Sequence, residues 1–538
     1  MRIYFYSFQL FYLSPIPFYI AGLLLLVLVG CSQDPAGQKE ITKPPNVIIV
    51  LADDMGYSDI GAYGSEIKTP RLDKLAQNGI RFTMMHNTAK CFPSRAVLLT
   101  GIYAQQSTMH EQPGDFHNSV MFGEVLKRAG YRTLYVGKHH GTDNPYRWGF
   151  DHYRGLRDGA ANYFNPGEQR PTDPGPPAQK EWAYPRKFLI DDSLAAPYTP
   201  PEHYYSTDTW TDWSIELLQR YKDEEKPFLL YLSYQAPHDP LQAPEESIKK
   251  YEGVYQEGYE AIAKARYQRQ LAMGLLDERY PQSAPDHRKW ESLSDSAKTD
   301  QIRRMQVYAA MIDRMDQNIG RLIDNVKAMG EWENTLFLFA SDNGASAEVV
   351  EIGSGPIGSV TRWASLKGDW ANVANTPFRK FKNYSYEGGT ATPFIVHWPA
   401  QISVPKGGRI NHNITHFIDL MPTLLDVANA ASKYPREYKG EKVPPMQGVS
   451  LLPLFRDSQD SVTITRDEPL FYDWAEGSAI QTDRWKLVRW GSDTQWELYN
   501  MQNDRTETIN RASEKPEIVN TLKTTWQEWA QKMQITEN

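Results

Sequence analysis

Cysteine is nearly absent from this chain, with two residues among 538. Two cysteines permit one disulfide bridge, which excludes a disulfide-stapled fold, and they cannot supply a cluster of sulfur ligands for zinc. An excess of positive charge is also lacking, since the net charge is −8 and the pI is near 5.9. The chain therefore has no general attraction for nucleic acid, and an anionic substrate would have to be recognised by local cations.

Short apolar runs that each end in polar residues are the main structural pattern. They are Val47 to Leu51 before Asp53-Asp54, Tyr131 to Val136 before Gly137-Lys138-His139-His140, Phe228 to Leu232 before Pro237-His238, and Leu336 to Phe339 before Asp342-Asn343. Continuous β-prone runs separated by helical segments predict an α/β fold with a mostly parallel sheet covered on both faces. Because ligands bind at the carboxyl ends of such strands, we expect these four strand exits to converge on one active site.

Cys91 has an informative setting, Cys91-Phe92-Pro93-Ser94-Arg95, followed by the apolar run Ala96 to Tyr103. Pro93 suits the first turn of a helix, so we expect Cys91 just before a helix N-terminus. The helix dipole and Arg95 would favour an anion there and would make the thiol acidic. Taken alone, a cysteine in such a position is more often a small buried hydrophobic side chain.

The segment from Cys91 to Arg95, followed by Leu98-Leu99-Thr100-Gly101, resembles the signature of the type I sulfatases. The resemblance runs from about Asn46 to the C-terminal region and implies the alkaline-phosphatase-like α/β sandwich. In that family a maturation enzyme oxidises the cysteine to formylglycine (3-oxoalanine), whose hydrated aldehyde attacks sulfur. The implied activity is hydrolysis of sulfate monoesters, a sulfuric ester hydrolase reaction.

A metal site is expected at two of the strand exits. Asp53, Asp54, Asp342 and Asn343 offer only oxygen ligands, which indicates calcium, and magnesium less readily. Asp53-Asp54 on its own is also typical of a solvated turn or a helix cap. The four positions match the calcium ligands of the family, and the modified Cys91 is implied to complete the ligand shell.

The segment from Gly130 to His140 resembles the second sulfatase signature, which ends Gly-Lys-x-His. Lys138 and His140 point to one side if the backbone stays extended, whereas His139 points to the other, so we favour His140. The family mechanism implies that Lys138 helps to hold residue 91 and the sulfate. It also implies that His140 deprotonates the formylglycine hydrate so that sulfate is expelled. A surface charge cluster is the alternative interpretation.

Two further site residues follow from the resemblance. His238, between Pro237 and Pro240, matches the family histidine that binds sulfate and protonates the leaving oxygen, a role suited to a side chain that titrates near neutral pH. Lys382 begins a segment that resembles the family pattern Lys-x-x-x-x-Glu-Gly-Gly. Lys380 is its rival, since either lysine could clamp sulfate as a point charge.

The N-terminus predicts export. Met1-Arg2 is followed by an apolar stretch whose end, Leu28-Val29-Gly30-Cys31, resembles a bacterial lipobox. We interpret residues 1–30 as a lipoprotein-type signal peptide, Cys31 as the lipidated residue and residues 31–45 as a tether. An ordinary signal peptide or an uncleaved anchor helix is the alternative. We therefore expect a membrane-anchored lipoprotein in the periplasm, in the outer membrane or at the cell surface.

We assign residues 46–463 to a sulfatase catalytic domain and residues 464–538 to a small C-terminal α+β subdomain with an antiparallel sheet. Residues 143–201 are rich in proline and glycine, and we expect them to shape the pocket. The leading hypothesis is an exported sulfatase that acts on a sulfated carbohydrate or polysaccharide fragment. The alternatives are a phosphate or phosphonate monoester hydrolase of the same superfamily and a non-catalytic, glycan-binding surface lipoprotein.

Overall fold

The computed structural model describes residues 43–535. The predicted signal peptide, the predicted lipidation site at Cys31 and residues 31–42 of the predicted tether lie outside the described residues. Within residues 43–535, no helix combines the length and the apolar character needed to cross a bilayer.

The described strands are, in chain order, β1 (Asn46–Asp53), β2 (Ile80–His86), β3 (Arg132–Gly137), β4 (His152–Leu156), β5 (Phe188–Ile190), β6 (Ser193–Ala195), β7 (Phe228–Pro237), β8 (Thr335–Ser341), β9 (Glu351–Gly353), β10 (Arg362–Ala364), β11 (Ala391–His397), β12 (Arg409–Asn411), β13 (Thr415–His416), β14 (Glu437–Tyr438), β15 (Glu441–Lys442), β16 (Leu470–Trp474), β17 (Gly477–Gln481), β18 (Trp485–Trp490) and β19 (Glu497–Asn500). The α-helices are α1 (Pro70–Gln77), α2 (Cys91–Thr100), α3 (Phe122–Arg128), α4 (Ser206–Arg220), α5 (Glu245–Lys249), α6 (Gly258–Ala272), α7 (Asp295–Ala328), α8 (Gly368–Ala374), α9 (Glu387–Thr390), α10 (Leu420–Val427), α11 (Leu452–Arg456) and α12 (Pro516–Lys532).

One large sheet carries the fold, with the strand order β12-β2-β11-β8-β1-β7-β3-β4-β5-β6 and with β13 paired to β2. Its centre is parallel, since β8, β1, β7 and β3 are neighbours that run in one direction. Strand β11 is antiparallel to both of its neighbours, and β5 and β6 add an antiparallel edge. The four strands expected from the sequence are therefore adjacent, and their carboxyl ends lie at one edge of the sheet.

Helices cover both faces of this sheet. Strand β1 shows the division, because Val47, Ile49 and Leu51 face one hydrophobic core and Ile48 and Val50 face the other. Alternation of this kind follows from the two-residue period of a strand. Helices α2, α3 and α10 pack on the first face, and α1, α4 and α7 pack on the second. The predicted α/β sandwich with a mostly parallel central sheet is confirmed.

A small four-stranded antiparallel sheet, β16-β17-β18-β19, follows residue 463, as expected, and α12 packs against it. Phe471 of β16 stacks on Trp529 of α12 with ring centroids 4.8 Å apart. Strand β17 is weakly marked in the sequence, because Gly477-Ser478-Ala479 has little of the β-branched or aromatic character typical of strands. The domain boundary at residue 463 stays a prediction.

A buried ionic network joins this C-terminal sheet to the large sheet. Glu387 of α9 is bound by His86 of β2 at 3.1 Å and by Lys486 of β18 at 2.9 Å. Lys486 also lies 2.9 Å from Glu507, whose Oε2 accepts the backbone N–H of Glu387 at 2.9 Å. The two sheets are therefore tied together by charges that water does not screen.

Candidate active site

The four predicted metal ligands lie together at the carboxyl ends of β1 and β8. Asp53, Asp54, Asp342 and Asn343 are all buried. The Asp54 N–H donates to Asp342 Oδ1 at 3.1 Å, and Asn343 Nδ2 donates to Asp54 Oδ1 at 2.7 Å. Asp54 has a φ of 60°, a left-handed conformation that is costly for a residue with a side chain. The backbone is thus held in a strained turn where these oxygen atoms meet.

Arg95 connects this carboxylate cluster to the surrounding elements. Its Nη2 lies 2.7 Å from Asp342 Oδ2 and 3.4 Å from Asp53 Oδ1. Its Nη1 donates to the Ser233 hydroxyl and, at 3.2 Å, to the carbonyl oxygen of Lys138. One guanidinium on α2 therefore contacts the end of β1, the middle of β7 and the residues that follow β3 and β8.

Two lysines complete the charge balance of the cluster. The Lys138 ammonium donates to Asp53 Oδ2, and the Lys382 ammonium donates to Asp54 Oδ2 at 2.8 Å. Burial alone would raise the pKa of Asp53, but the positive charges of Lys138, His238 and Arg95 outweigh burial and hold that pKa below its usual range. Asp53 is therefore held as a carboxylate.

Asp342 behaves in the opposite way. Burial and the negative charge of Asp53 raise the pKa of Asp342 to about 7, and Arg95 offsets only part of this increase. Two carboxylates that share one buried site cannot both be ionised without additional positive charge. The cluster is consequently one in which a further cation would be electrostatically favourable.

Cys91 is the first residue of α2, with Lys90 as the N-cap, so it lies inside the first turn and not just before it. The thiol is 1% exposed. The expectation of an acidic thiol is wrong, since burial raises the pKa of Cys91 more than Lys382, Lys138 and Lys90 lower it. The unmodified thiol is thus a poor nucleophile, because the thiolate is the reactive form.

The two histidines after Lys138 separate as expected, but for a different reason. His140 has a φ of 64°, so the backbone is not extended there. This turn places His140 on the wall of the same cavity as Cys91, with its ring centroid 5.6 Å from that of Phe92. His139 is buried and bonds Asp143 at 2.8 Å. Burial and nearby Lys138 lower the pKa of His140 well below its ordinary value, so its imidazole is neutral at physiological pH.

His238 lies between the acidic cluster and the cavity. Its Nε2 is 3.5 Å from Asp54 Oδ2, and its Nδ1 is 3.0 Å from Asp239 Oδ1. Burial alone would lower the pKa of His238, but the carboxylates of Asp54 and Asp53 outweigh burial and raise it. Asp239 fixes the orientation of the imidazole ring, and sequence reasoning did not single this residue out.

The structure separates the two candidate lysines. Lys382 is buried and bonds Glu348 Oε1 at 3.0 Å in addition to Asp54. Lys380 is partly exposed and bonds Asp286 at 2.9 Å, away from the cluster. Glu348 is a further site residue that the sequence did not indicate, because it lies in an irregular segment and has no motif around it.

A cavity of about 590 Å³ opens above the cluster. Its wall includes Cys91, His140, His238 and Lys382, together with residues 158–160, 180 and 182–187. The expectation that the proline-rich segment shapes the pocket is confirmed. The volume is typical of a site for a small molecule or for one or two sugar units of a longer chain.

The donor set fits a hard divalent cation. Asp53 Oδ1 and Asn343 Oδ1 are buried oxygen atoms without a hydrogen-bond partner among the described residues. Ligand atoms of Asp53, Asp54 and His238 also lie within 4.8 Å of one another, so His238 joins the expected group. Buried oxygens left without donors are costly unless something else binds them. Oxygen ligands favour calcium or magnesium over softer metals.

Comparison with known proteins agrees with this chemistry. The sulfatase family model matches residues 45–430, and the model of the C-terminal region of N-sulphoglucosamine sulphohydrolase matches residues 378–533. The arylsulfatase of Klebsiella aerogenes is 32% identical over 464 residues, which cover 80% of this chain and 95% of that protein. The N-acetylglucosamine-6-O-sulfatase of Bacteroides thetaiotaomicron is 25% identical over 551 residues, covering 91% and 86% respectively.

The solved structure of Ps i-CgsB in complex with k-i-k-neocarrahexaose has the same fold, with a TM-score of 0.65 and 23% identity over 91% of this chain and 93% of that chain. The parallel sheet with a polar cluster at its carboxyl edge is thus the alkaline-phosphatase-like sandwich. The chain belongs to the sulfatase family and is a sulfuric ester hydrolase.

Proposed function

We propose that this protein hydrolyses sulfate monoesters of a sulfated carbohydrate, with a formylglycine made from Cys91 as the nucleophile. The observation that carries this proposal is the position of Cys91 on the cavity wall above a buried cluster of balanced carboxylates and cations. The carbohydrate part rests on two relatives, one named for an N-acetylglucosamine sulfate and one solved with neocarrahexaose.

Modification of Cys91 would explain why the encoded thiol is so weakly acidic. Conversion to formylglycine supplies a hydrated aldehyde, whose oxygen can attack sulfur and whose reactivity does not depend on the pKa of a thiol. The proposal therefore includes a maturation enzyme as a partner. Lys382, Lys138 and Lys90 act electrostatically on position 91 and would favour an anionic oxygen and a bound sulfate there.

We propose that Asp53, Asp54, Asp342 and Asn343 hold a calcium ion, with residue 91 as a further ligand. Magnesium fits less well, because it demands stricter octahedral geometry than a cluster already bound to three cationic side chains offers. A bound divalent cation would polarise the sulfuryl oxygens. Arg95 keeps two of the carboxylates in place through its contacts with Asp342 and Asp53.

The two histidines fit complementary proton-transfer roles. His140 is neutral and lines the cavity, so it can accept the proton of the formylglycine hydrate. His238 faces the same cavity, and Asp239 holds its Nδ1. The other nitrogen, Nε2, lies 3.5 Å from Asp54 Oδ2 and is the one that would protonate the leaving oxygen. Lys138 and Lys382 supply fixed positive charge near the sulfate.

Export with a lipid anchor at Cys31 is part of the proposal and rests on the sequence of residues 1–31. Degradation of a sulfated polymer outside the cell would fit such a location. Cell fractionation of the wild type and of Cys31→Ala would test it, since the variant should leave the membrane fraction.

The deciding experiment is mass spectrometry of the peptide that contains residue 91, from protein made in the native host. We expect the mass of formylglycine, and release of sulfate from a sulfated sugar that Cys91→Ala abolishes without loss of the folded state. An intact thiol in an active protein would contradict the nucleophile assignment. If protein with modified residue 91 hydrolyses the phosphate ester of an alcohol faster than the sulfate ester of the same alcohol, the phosphate or phosphonate alternative is favoured. An unmodified and inactive protein that binds glycans would favour the binding-protein alternative.

A further inference from the structure

The wall of the active-site cavity is positively charged although the whole chain is not. Five cationic side chains line the cavity, namely Lys90, Lys180, Arg186, Lys187 and Lys382. Only two carboxylates, Asp158 and Glu348, line it with them. In a chain with a net charge of −8, this local excess favours an anionic ligand.

Arg186 is the unusual member of this group. It is 8% exposed, yet among residues 43–535 it has no hydrogen bond and no ion pair. The other buried cation on the wall, Lys382, bonds two carboxylates. The guanidinium nitrogens of Arg186 are not among the fully buried atoms that lack a partner, and the residue lines the cavity. Its five N–H donors are therefore shielded from most of the solvent, unused by the protein and open to a ligand in the cavity.

The nearest carboxylates do not satisfy Arg186. Asp158 and Asp239 are close enough to act on it electrostatically, but burial still lowers the pKa of its guanidinium. Asp158 Oδ2 accepts the backbone N–H of Lys187 at 2.7 Å. Asp239 is engaged by His238 and by the Ser365 hydroxyl. Both acids thus already have partners, and Arg186 is left for a ligand.

We propose that Arg186 binds a second anionic group, a sulfate or a carboxylate, on the same sugar chain whose sulfate ester is hydrolysed at residue 91. Arg186 and Cys91 line one cavity, so a single ligand can reach both. The planar guanidinium fork binds such oxyanions through two parallel hydrogen bonds, which lysine cannot reproduce. Trp182, 76% exposed beside Arg186 on the same wall, offers a ring face to a sugar.

This inference rests on the proposed function and deepens it, because it makes the substrate a polyanionic saccharide. Arg186 is a specificity-determining residue in this view. It distinguishes a sugar with two anionic groups from one with only the scissile sulfate.

The test measures binding and turnover with matched sugars. The pairs are glucosamine 6-sulfate with glucosamine 2-N,6-O-disulfate, galactose 6-sulfate with galactose 2,6-disulfate, and each monosulfated sugar free or linked to glucuronate. Calorimetry with the inactive Cys91→Ala protein gives affinities that do not depend on turnover. We expect the dianionic member of at least one pair to bind more tightly, and Arg186→Gln to weaken its binding by roughly tenfold to a hundredfold.

Arg186→Lys should restore only part of that affinity, because it keeps the charge and loses the fork. The matched control is Arg154→Gln, since Arg154 bonds Glu216 at 2.9 Å and does not line the cavity. A preference for the second sulfate or for the glucuronate carboxylate identifies which anion Arg186 binds.

Equal affinity of the wild-type site for both members of every pair would overturn the inference, as would an equal effect of Arg186→Gln on both. The proposed function fails separately, if protein with modified residue 91 hydrolyses none of the sulfate esters. Circular dichroism of Arg186→Gln and Arg186→Lys checks that a loss of binding does not come from unfolding.

Discussion

Replacing Lys382 with methionine should remove most of the sulfatase activity, whereas the same replacement of Lys380 should not. The Lys382 ammonium is 1% exposed and lies between Asp54 Oδ2 at 2.8 Å and Glu348 Oε1 at 3.0 Å. The Lys380 ammonium is 26% exposed and contacts Asp286 at 2.9 Å. Two lysines in one segment therefore provide a test residue and a matched control.

The magnitude follows from burial and charge. Loss of one preorganised donor to a developing negative charge typically costs about 10²–10³ in rate, or about 2.7–4 kcal/mol. Removal of Lys382 also leaves Asp54 and Glu348 without their shared partner, and breaking a buried ion pair costs about 3–5 kcal/mol of stability. The exposed pair of Lys380 contributes about 0–1 kcal/mol, so Lys380→Met should be nearly neutral.

The assay compares kcat/KM for one sulfate ester, with the free energy of unfolding measured in parallel. Lys382→Met combined with Glu348→Gln separates the two effects, because it removes one surplus carboxylate charge. The double variant should regain stability but not activity. The reasoning would be refuted if Lys382→Met kept activity within about fivefold of the wild type, or if Lys380→Met lost as much.

Two further outcomes are expected. Asp342→Asn should weaken calcium binding at least tenfold in calorimetry and abolish any calcium-dependent rise in Tm, because it removes a buried charge from the oxygen cluster; an unchanged calcium affinity would exclude Asp342 as a ligand. Burial and the charge of Lys327 lower the pKa of His397 to about 4, whereas in the unfolded chain it is about 6.5. The stability that depends on neutral His397 is therefore intact above about pH 6.5 and is lost between about pH 6.5 and 4, by roughly 3 kcal/mol. His397→Phe can keep the stacking on Trp332 and should reduce the loss of unfolding free energy between about pH 6.5 and 4, measured by urea unfolding. An identical pH dependence of the unfolding free energy in the variant and the wild type would disprove the assignment.

The position of the site could be predicted because the pattern of a strand is a local property of the sequence, and parallel strands in one sheet end at the same edge. The runs before Asp53 and Asp342 are continuous and β-prone, and parallel strands in one sheet bring their carboxyl ends to one edge. The sequence argument for His140 over His139 assumes an extended backbone, which the structure does not have. A left-handed turn at His140 produced the same outcome.

The remaining features depend on tertiary burial, which no single segment of sequence reveals. The field of a helix N-terminus suggests an acidic Cys91, but the thiol is 1% exposed, and burial raises its pKa more than the charges of the nearby lysines lower it. Glu348 and Arg186 lie in irregular segments, so neither periodicity nor a motif marks them. The role of Glu348 comes from its bond to Lys382, which is distant in the chain, and the role of Arg186 comes from the lack of a protein partner among the described residues.

The buried network around Glu387 has a consequence for how this chain can be altered. Lys486 and Glu507, which bind Glu387, come from the C-terminal part of the chain. Gly388, the residue after Glu387, packs closely against Gly344, the residue after Asn343. A Cβ on Gly344 would lie 1.9 Å from the Gly388 carbonyl oxygen. A replacement C-terminal sheet without a lysine at the position of Lys486 would leave the buried Glu387 without that partner, next to the turn that we propose to bind the metal. The two sheets should therefore be engineered as one unit, with new specificity introduced through the loop of residues 180–187 instead.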